Sequence, residues 1–236
     1  MQEKVLVIIP AYNEANGIAK VINGIRKVMP NADIAVIDDG SKDSTCSVCQ
    51  LLNAIVLKHP FNLGDGAARQ TGYIYAKQNN YDFVLQIDAD GQHDTAFLPI
   101  LLDELKSASA DIAIGSRFLG VGQYKAEFAK KIGMGIFNTL ASLITKTKIT
   151  DSTSGYRAVN RKVIEYYAQP QQYPANFPDA DLIIQSHFAG FKIQEVPVLM
   201  SQNTKDKPLH HGLSAYYYVF KMLFSISVTL LRGKIK

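Results

Sequence analysis

Residues 81–91 read Tyr81-Asp82-Phe83-Val84-Leu85-Gln86-Ile87-Asp88-Ala89-Asp90-Gly91, an apolar run that stops at two aspartates and a glycine. Tyr81–Asp88 has the length and the Val/Leu/Ile content of a buried strand. Asp88 and Asp90 flank a residue too small to block them. Carboxylates converging at a strand end repel one another unless a cation sits between them. Oxygen donors favour a hard ion, Mn2+ or Mg2+, whose remaining sites take diphosphate oxygens. Gln92 adds a neutral ligand, and His93 is tolerated by Mn2+. The plain alternative is a solvated turn, since Asp and Gly are common turn formers.

The same grammar extends outward on both sides. Lys4–Pro10 reads as a strand, and Ile18, Val21, Ile22, Ile25 and Val28 follow at helical spacing. Strands Asp33–Asp38, Ala54–Lys58 and Asp111–Ser116 alternate with helices Ser44–Leu52, Gly66–Gln78 and Phe97–Lys106. Strand and helix taking turns over short connections predict an α/β fold, a mostly parallel sheet covered on both faces. Ligands bind such sheets beyond the carboxyl ends of the strands, which places the site.

Two more strands end in polar residues at that edge. Val36-Ile37-Asp38-Asp39-Gly40-Ser41 presents two acids on opposite faces. One is suited to a base N–H or a ribose hydroxyl, the other to capping the turn or the next helix. After the first strand, Pro10 and Ala11 lead to Tyr12, a face for stacking, and to Glu14, an acceptor; Asn13 reads as an N-cap.

The pattern changes after Ser116. Ala126–Thr145 is a long helix with Phe128, Ile132, Ile136, Leu140 and Leu143 on one face. Helices Arg161–Ala168 and Ala180–Ala189 follow, separated by a Pro- and Gln-rich loop, and then the strand Lys192–Leu199. Leu213–Leu231 is almost wholly apolar, yet Ser214, Lys221, Ser225, Thr229 and Arg232 form a narrow polar stripe. Lys221 is costly in a membrane span, so this segment reads as an interfacial amphipathic helix on anionic headgroups. A buried core helix and a homo-oligomer contact are the other readings. The organisation expected is one domain, 1–212, with the helix of 213–236 as part of it.

Charge and cysteine content narrow the chemistry. Residues 1–120 hold 10 basic and 14 acidic side chains, and 121–236 hold 15 and 7. The acidic half suits a metal and the basic half an anionic partner. The basic residues are not interleaved with aromatics, which argues against nucleic acid. Cys46 and Cys49 lack the further ligands a zinc site needs. No basic leader precedes Val5–Ile9, so the chain is expected in the cytoplasm, peripheral on the inner membrane face. A nucleotidyltransferase would want a Gly-rich basic loop after the first strand and a dehydrogenase a Gly-x-Gly-x-x-Gly; Pro10–Glu14 has neither.

Taken in order, Ile8–Glu14, Val36–Ser41 with Asp43, Asn62–Ala68, Asp88–Gln92 and Gly115-Ser116-Arg117-Phe118 resemble the family 2 glycosyltransferases with a GT-A fold. Asp151–Arg157 and Glu195-Val196-Pro197 resemble the branch that makes dolichyl- or polyprenyl-phosphate sugars. The resemblance implies an inverting glycosyltransferase using a nucleotide-sugar donor. It implies a cradle for the nucleotide sugar at Pro10, Ala11, Tyr12, Glu14, Asp39, Asp88 and Ala89, with Asp39 reading the base. It places the metal on Asp88, Asp90 and Gln92, and phosphate of donor or acceptor on Arg117.

The acceptor implied is a lipid phosphate, which is already anionic, or a glycan hydroxyl, which needs a base such as Asp179 or Asp181. A helix-start acid is the bland reading of Asp181. The sequence departs from the branch after Pro197: no Arg stands in Met200–Gly212, and Lys205, Lys207 or His210-His211 must substitute. With that loop altered, a non-catalytic nucleotide-sugar-binding relic is the alternative of another class.

Overall fold

Apolar runs and helical periods alternate along the first half of the chain, and the backbone follows them. In a computed structural model, residues 3–119, 128–174, 178–201 and 213–233 are described. The order is β1 (Val5–Ala11), α1 (Ile18–Val28), β2 (Asp33–Asp38), α2 (Thr45–Leu51), β3 (Ile55–Lys58), α3 (Asp65–Gln78) and β4 (Phe83–Gln86). Then come α4 (Leu98–Lys106), β5 (Ile112–Ser116), α5 (Phe128–Thr145), β6 (Arg157–Asn160), α6 (Arg161–Tyr167), α7 (Ala180–Phe188), β7 (Ile193–Pro197) and α8 (Leu213–Gly233).

The strands form one seven-stranded sheet in the order β3-β2-β1-β4-β6-β5-β7. Every neighbouring pair is parallel except those of β6, which runs against both β4 and β5. The sequence reading contains no β6: Arg-Ala-Val-Asn is too short, and begins too polar, to show a strand period.

Because successive strand residues point to opposite faces, each strand feeds two cores. Leu6, Ile8, Ile37, Val84 and Ile114 pack under α3, α5, α6, α7 and α8. Val7, Ile9, Val36, Leu85 and Ala113 pack under α1, α2 and α4.

Two helix faces differ from expectation. In α5 the buried side is Met134, Phe137 and Ala141, while Ile136 and Leu143 are exposed; the side chains of Phe128 and Ile132 lie outside the described residues. In α8 Met222 and Ile226 pack inward and Ser225 between them is half-buried, so the supposedly wet stripe turns partly toward the protein. Outside are Phe220 (70% exposed), Leu223, Phe224 (63%) and Leu231. A helix apolar on two sides can bury either, and Ser225 has a buried partner. Among the described residues no helix is long and apolar enough to cross a membrane.

Candidate active site

The carboxyl edge of β1, β2 and β4 gathers three loops, and antiparallel β6 brings a fourth. Arg157 at the start of β6 stands opposite Gln86 at the end of β4, so the loop before β6 arrives beside the aspartates that follow β4. There Gly155 lies so close to Asp88 that an added Cβ would sit 2.9 Å from both carboxylate oxygens. Only glycine permits that approach.

Asp88 and Asp90 are not equivalent. Asp88 Oδ1 accepts from Arg69 Nη2 at 3.0 Å, and Oδ2 faces His93 Nε2 at 3.3 Å. Burial pushes the Asp88 carboxyl up, but the Arg69 guanidinium and His93 outweigh it and hold it well below the usual carboxylate range. Arg69 is itself gripped by Asp65, one helical turn earlier, at 2.7 Å. Asp90 is partly exposed, and its Oδ1 accepts the Gln92 N–H at 2.9 Å. Ala89 is buried, and Gln92 is partly exposed. Among the described residues no three His, Cys, Asp or Glu side chains converge as a complete metal site. A cation held here needs oxygens from a bound ligand, the usual arrangement for Mg2+ with phosphates.

Asp39, the expected base reader, is already in use. Its Oδ1 accepts from His59 Nδ1 at 2.7 Å and from the Leu63 N–H at 2.8 Å, and its Oδ2 from the Gly64 N–H at 2.9 Å. It ties the loop after β3 to the end of β2, next to Gly40, whose φ of +74° suits glycine. Asp38 is buried and accepts the Ser41 N–H at 3.1 Å. Opposite them, Pro10 and Ala11 are buried as the floor, and Tyr12 stands out, 43% exposed. Asn13 does not cap α1; it adopts φ 57° and accepts the Lys42 N–H at 2.8 Å. The Glu14 N–H donates to Thr45 Oγ1 at 2.8 Å, locking the first loop to the second.

Arg117, expected on a phosphate of donor or acceptor, has its guanidinium anchored on a buried carboxylate. It is buried, and its Nε and Nη2 donate to the two oxygens of fully buried Asp151, both at 2.6 Å. Glu195 of β7 in turn accepts the Asp151 N–H at 2.8 Å and the Thr150 N–H at 2.9 Å. Asn138 of α5 accepts the Ser152 N–H at 2.9 Å. Arg117, Glu195 and Asn138 thus form a frame for the 150–155 loop.

Asp181 is 2% exposed and sits beneath α8, not at an open edge. Ser225 donates to its Oδ2 at 2.5 Å; the Leu182 and Asp179 N–H groups reach its Oδ1 at 2.8 and 3.2 Å. Burial pushes its carboxyl above the usual range despite these donors. Lys205, Lys207 and His210-His211 lie outside the described residues, as do the side chains of Ser214 and Arg232.

Sequence reasoning missed Arg69 and His59, and gave Arg157 a place in a motif but no role. The Asp65/Arg69 spacing of four on a helix was a usable signal. His59 had none, because its partners are distant in the chain, and the role of Arg157 was hidden because its partners are backbone carbonyls.

Comparison with known proteins fits this geometry. The family model described as glycosyl transferase family 2 matches residues 6–167. A polyprenol monophosphomannose synthase of Mycolicibacterium smegmatis is 30% identical over 208 residues, covering 85% of this chain and 78% of its own. A UDP-N-acetylglucosamine–dolichyl-phosphate N-acetylglucosaminyltransferase of Methanococcus voltae is 28% identical, covering 84% and 86%. Among solved structures, glucosyl-3-phosphoglycerate synthase of Mycobacterium tuberculosis, in complex with Mn2+, UDP and glucosyl-3-phosphoglycerate, superposes with a TM-score of 0.71. It is 19% identical and covers 98% of this chain and 80% of its own. With its seven-stranded mixed sheet and acid-tipped strand ends, the chain belongs to glycosyl transferase family 2 and is a glycosyltransferase of GT-A fold.

Proposed function

We propose that this glycosyltransferase moves a sugar from a nucleoside diphosphate to a polyprenyl or dolichyl phosphate. The observation that carries the acceptor class is the state of Asp181. A sugar hydroxyl needs a base within reach. Of the two carboxylates expected for that task, Asp181 is buried and hydrogen-bonded on both oxygens, and Asp179 is half-buried at the N-cap of α7. A lipid phosphate needs no base, and the relatives from Mycolicibacterium and Methanococcus carry such acceptors in their names.

In this reading Tyr12 stacks on the base over a floor of Pro10 and Ala11, with Glu14 as acceptor. Asp39 shapes the pocket by holding the Leu63–Gly64 turn. Arg69 and His93 fix the Asp88 carboxylate toward the donor. Asp90, with Asp88 beside it and Gln92 as neutral donor, would hold Mn2+ or Mg2+; these hard oxygens fit such an ion, which when bound neutralises charge on the departing diphosphate. A phosphate oxygen of the acceptor bonds to the anomeric carbon from the face opposite the nucleotide. The bond to the diphosphate oxygen breaks, the electron pair leaves with the nucleoside diphosphate, and the configuration inverts.

The outward face of α8, with Phe220, Leu223, Phe224 and Leu231, suits insertion into a membrane surface. Sequence charge beyond it, at Lys234 and Lys236, suits anionic headgroups on the cytoplasmic side. The chain would then work as a peripheral enzyme beside its lipid acceptor.

The test incubates the full chain with radiolabelled UDP- and GDP-sugars, Mn2+ and vesicles containing undecaprenyl phosphate. Label should enter the organic phase, require the lipid phosphate, vanish with EDTA and be lost in Asp90→Ala. Label passing instead to a soluble oligosaccharide, with Asp181→Ala inactive, would overturn the acceptor assignment.

A further inference from the structure

Gln86 is the only polar side chain in the run Phe83–Ile87, and it is 1% exposed. A buried amide needs partners at both ends. Its Oε1 accepts from the Tyr73 hydroxyl at 3.2 Å and from the Tyr173 hydroxyl at 3.5 Å. Its Nε2 donates to the Gly155 carbonyl at 2.7 Å. The hydroxyls can donate or accept, but the carbonyl can only accept, so Nε2 has to face Gly155. Both tyrosine rings are buried and packed on each other, centroids 5.4 Å apart, so the hydroxyls are themselves held in place.

The Gly155 carbonyl also receives Arg69 Nη1, at a longer 3.5 Å, while Arg69 Nη2 donates to Asp88 Oδ1 at 3.0 Å. A carbon added on the Gly155 Cα would lie 2.9 Å from both Asp88 oxygens and 3.0 Å from Arg69 Nη1. The Gly155 backbone therefore closes one side of the Asp88 carboxylate. Arg69 and His93 take its two oxygens, and the 30% of the side chain still exposed is left for a ligand. We propose that Gln86 is a positioning residue for Asp88. Its Nε2 holds the Gly155 carbonyl so that the backbone stays seated against the carboxylate. Without Nε2, the carbonyl draws on the same guanidinium that Asp88 needs.

The inference rests on the nucleotide-sugar reading, and the unaltered chain separates the two. Calorimetric titration with UDP and with GDP, each with Mn2+, should show binding of one. Binding of neither overturns the functional reading and this inference with it; binding of one with indifferent variants overturns the inference alone. Gln86→Met keeps the length and burial and removes both polar ends. It should raise the Mn2+ concentration for half-maximal nucleotide binding about tenfold, the scale of one lost buried hydrogen bond. Turnover at saturating Mn2+ and donor should stay within about threefold of the parent. Backbone amide exchange over residues 153–156 should quicken.

Leu85→Ala is the control, since it opens a cavity on the opposite face of the same strand. It should lower the melting temperature and leave the Mn2+ midpoint where it was. A midpoint that moves no further in Gln86→Met than in Leu85→Ala would make Gln86 a packing residue and overturn the proposal. A turnover loss of about a hundredfold with the midpoint unchanged would place it in the chemical step and overturn it too. If Gln86→Met does not fold, Gln86→Glu keeps the acceptor for both tyrosines and removes only the donor to Gly155. Its added negative charge favours a cation, so a raised midpoint reports the lost donor, and an unmoved or lowered one refutes the link.

Discussion

Replacing Asp151 by Asn tests how strongly its buried ion pair anchors Arg117. Asp151 is wholly buried and receives Nε and Nη2 of Arg117 at 2.6 Å and the Arg117 N–H at 3.1 Å. The amide keeps the volume, loses the charge, and turns an NH2 toward a guanidinium that can only donate. Breaking a buried ion pair from one side costs about 3–5 kcal/mol. For a chain of this length each kcal/mol moves the melting temperature by roughly 2–4 °C, so the midpoint should fall by about 6–20 °C. Scanning calorimetry and urea unfolding at pH 7 measure it. The double variant Arg117→Met/Asp151→Leu should regain much of the loss, since apolar residues of similar volume replace a buried pair at little cost. A loss below about 1 kcal/mol in the single variant, the level of a surface pair, would refute the reasoning.

Phe220→Ser/Phe224→Ser on α8 should leave the melting temperature within about 2 °C, as both rings are exposed, and should abolish co-sedimentation with anionic liposomes. Undiminished sedimentation would sink the membrane-facing assignment. Burial pushes the Cys49 thiol up to about 11, so with a thiol-exchange reagent at pH 8 the folded chain should show at most one fast thiol, Cys46; two fast thiols would contradict the packing of α2. The Lys4 N–H holds Asp82 below its usual 3.8, against an upward push from burial, and Arg161 adds to the lowering. The sign follows: this stabilisation is present above the unfolded value of 3.8 and fades as pH falls through the lower folded one. Asp82→Asn should therefore lie below the parent in urea stability at pH 6 and converge with it in strong acid; a gap that widens in acid would reverse the sign and reject the pairing.

The first half of the fold was readable because strand runs of four to seven residues alternate with helices whose apolar positions recur every three or four. Asp88 and Asp90 were readable as a pair because they abut a strand end. What each carboxylate does was not, since the deciding partners are remote in sequence: Arg69 for Asp88, His59 for Asp39, and Asp151 for Arg117, 34 positions away. The inward turn of Ser225 was hidden for a different reason. α8 is apolar around most of its circumference, and only the buried carboxylate of Asp181 selects which side goes in.

Strand β6 joins the halves of the sheet through four opposed residue pairs, from Phe83 with Asn160 to Gln86 with Arg157. Its reversed direction means that the crevice is furnished by the span leading into it, which α5 delivers and to which α5 stays bonded through Asn138. Residues 150–156 therefore cannot be exchanged alone: Asp151 needs the Arg117 guanidinium, Ser152 the Asn138 side chain and the 150–151 backbone Glu195, so what the crevice receives is set jointly by the span and its three supports.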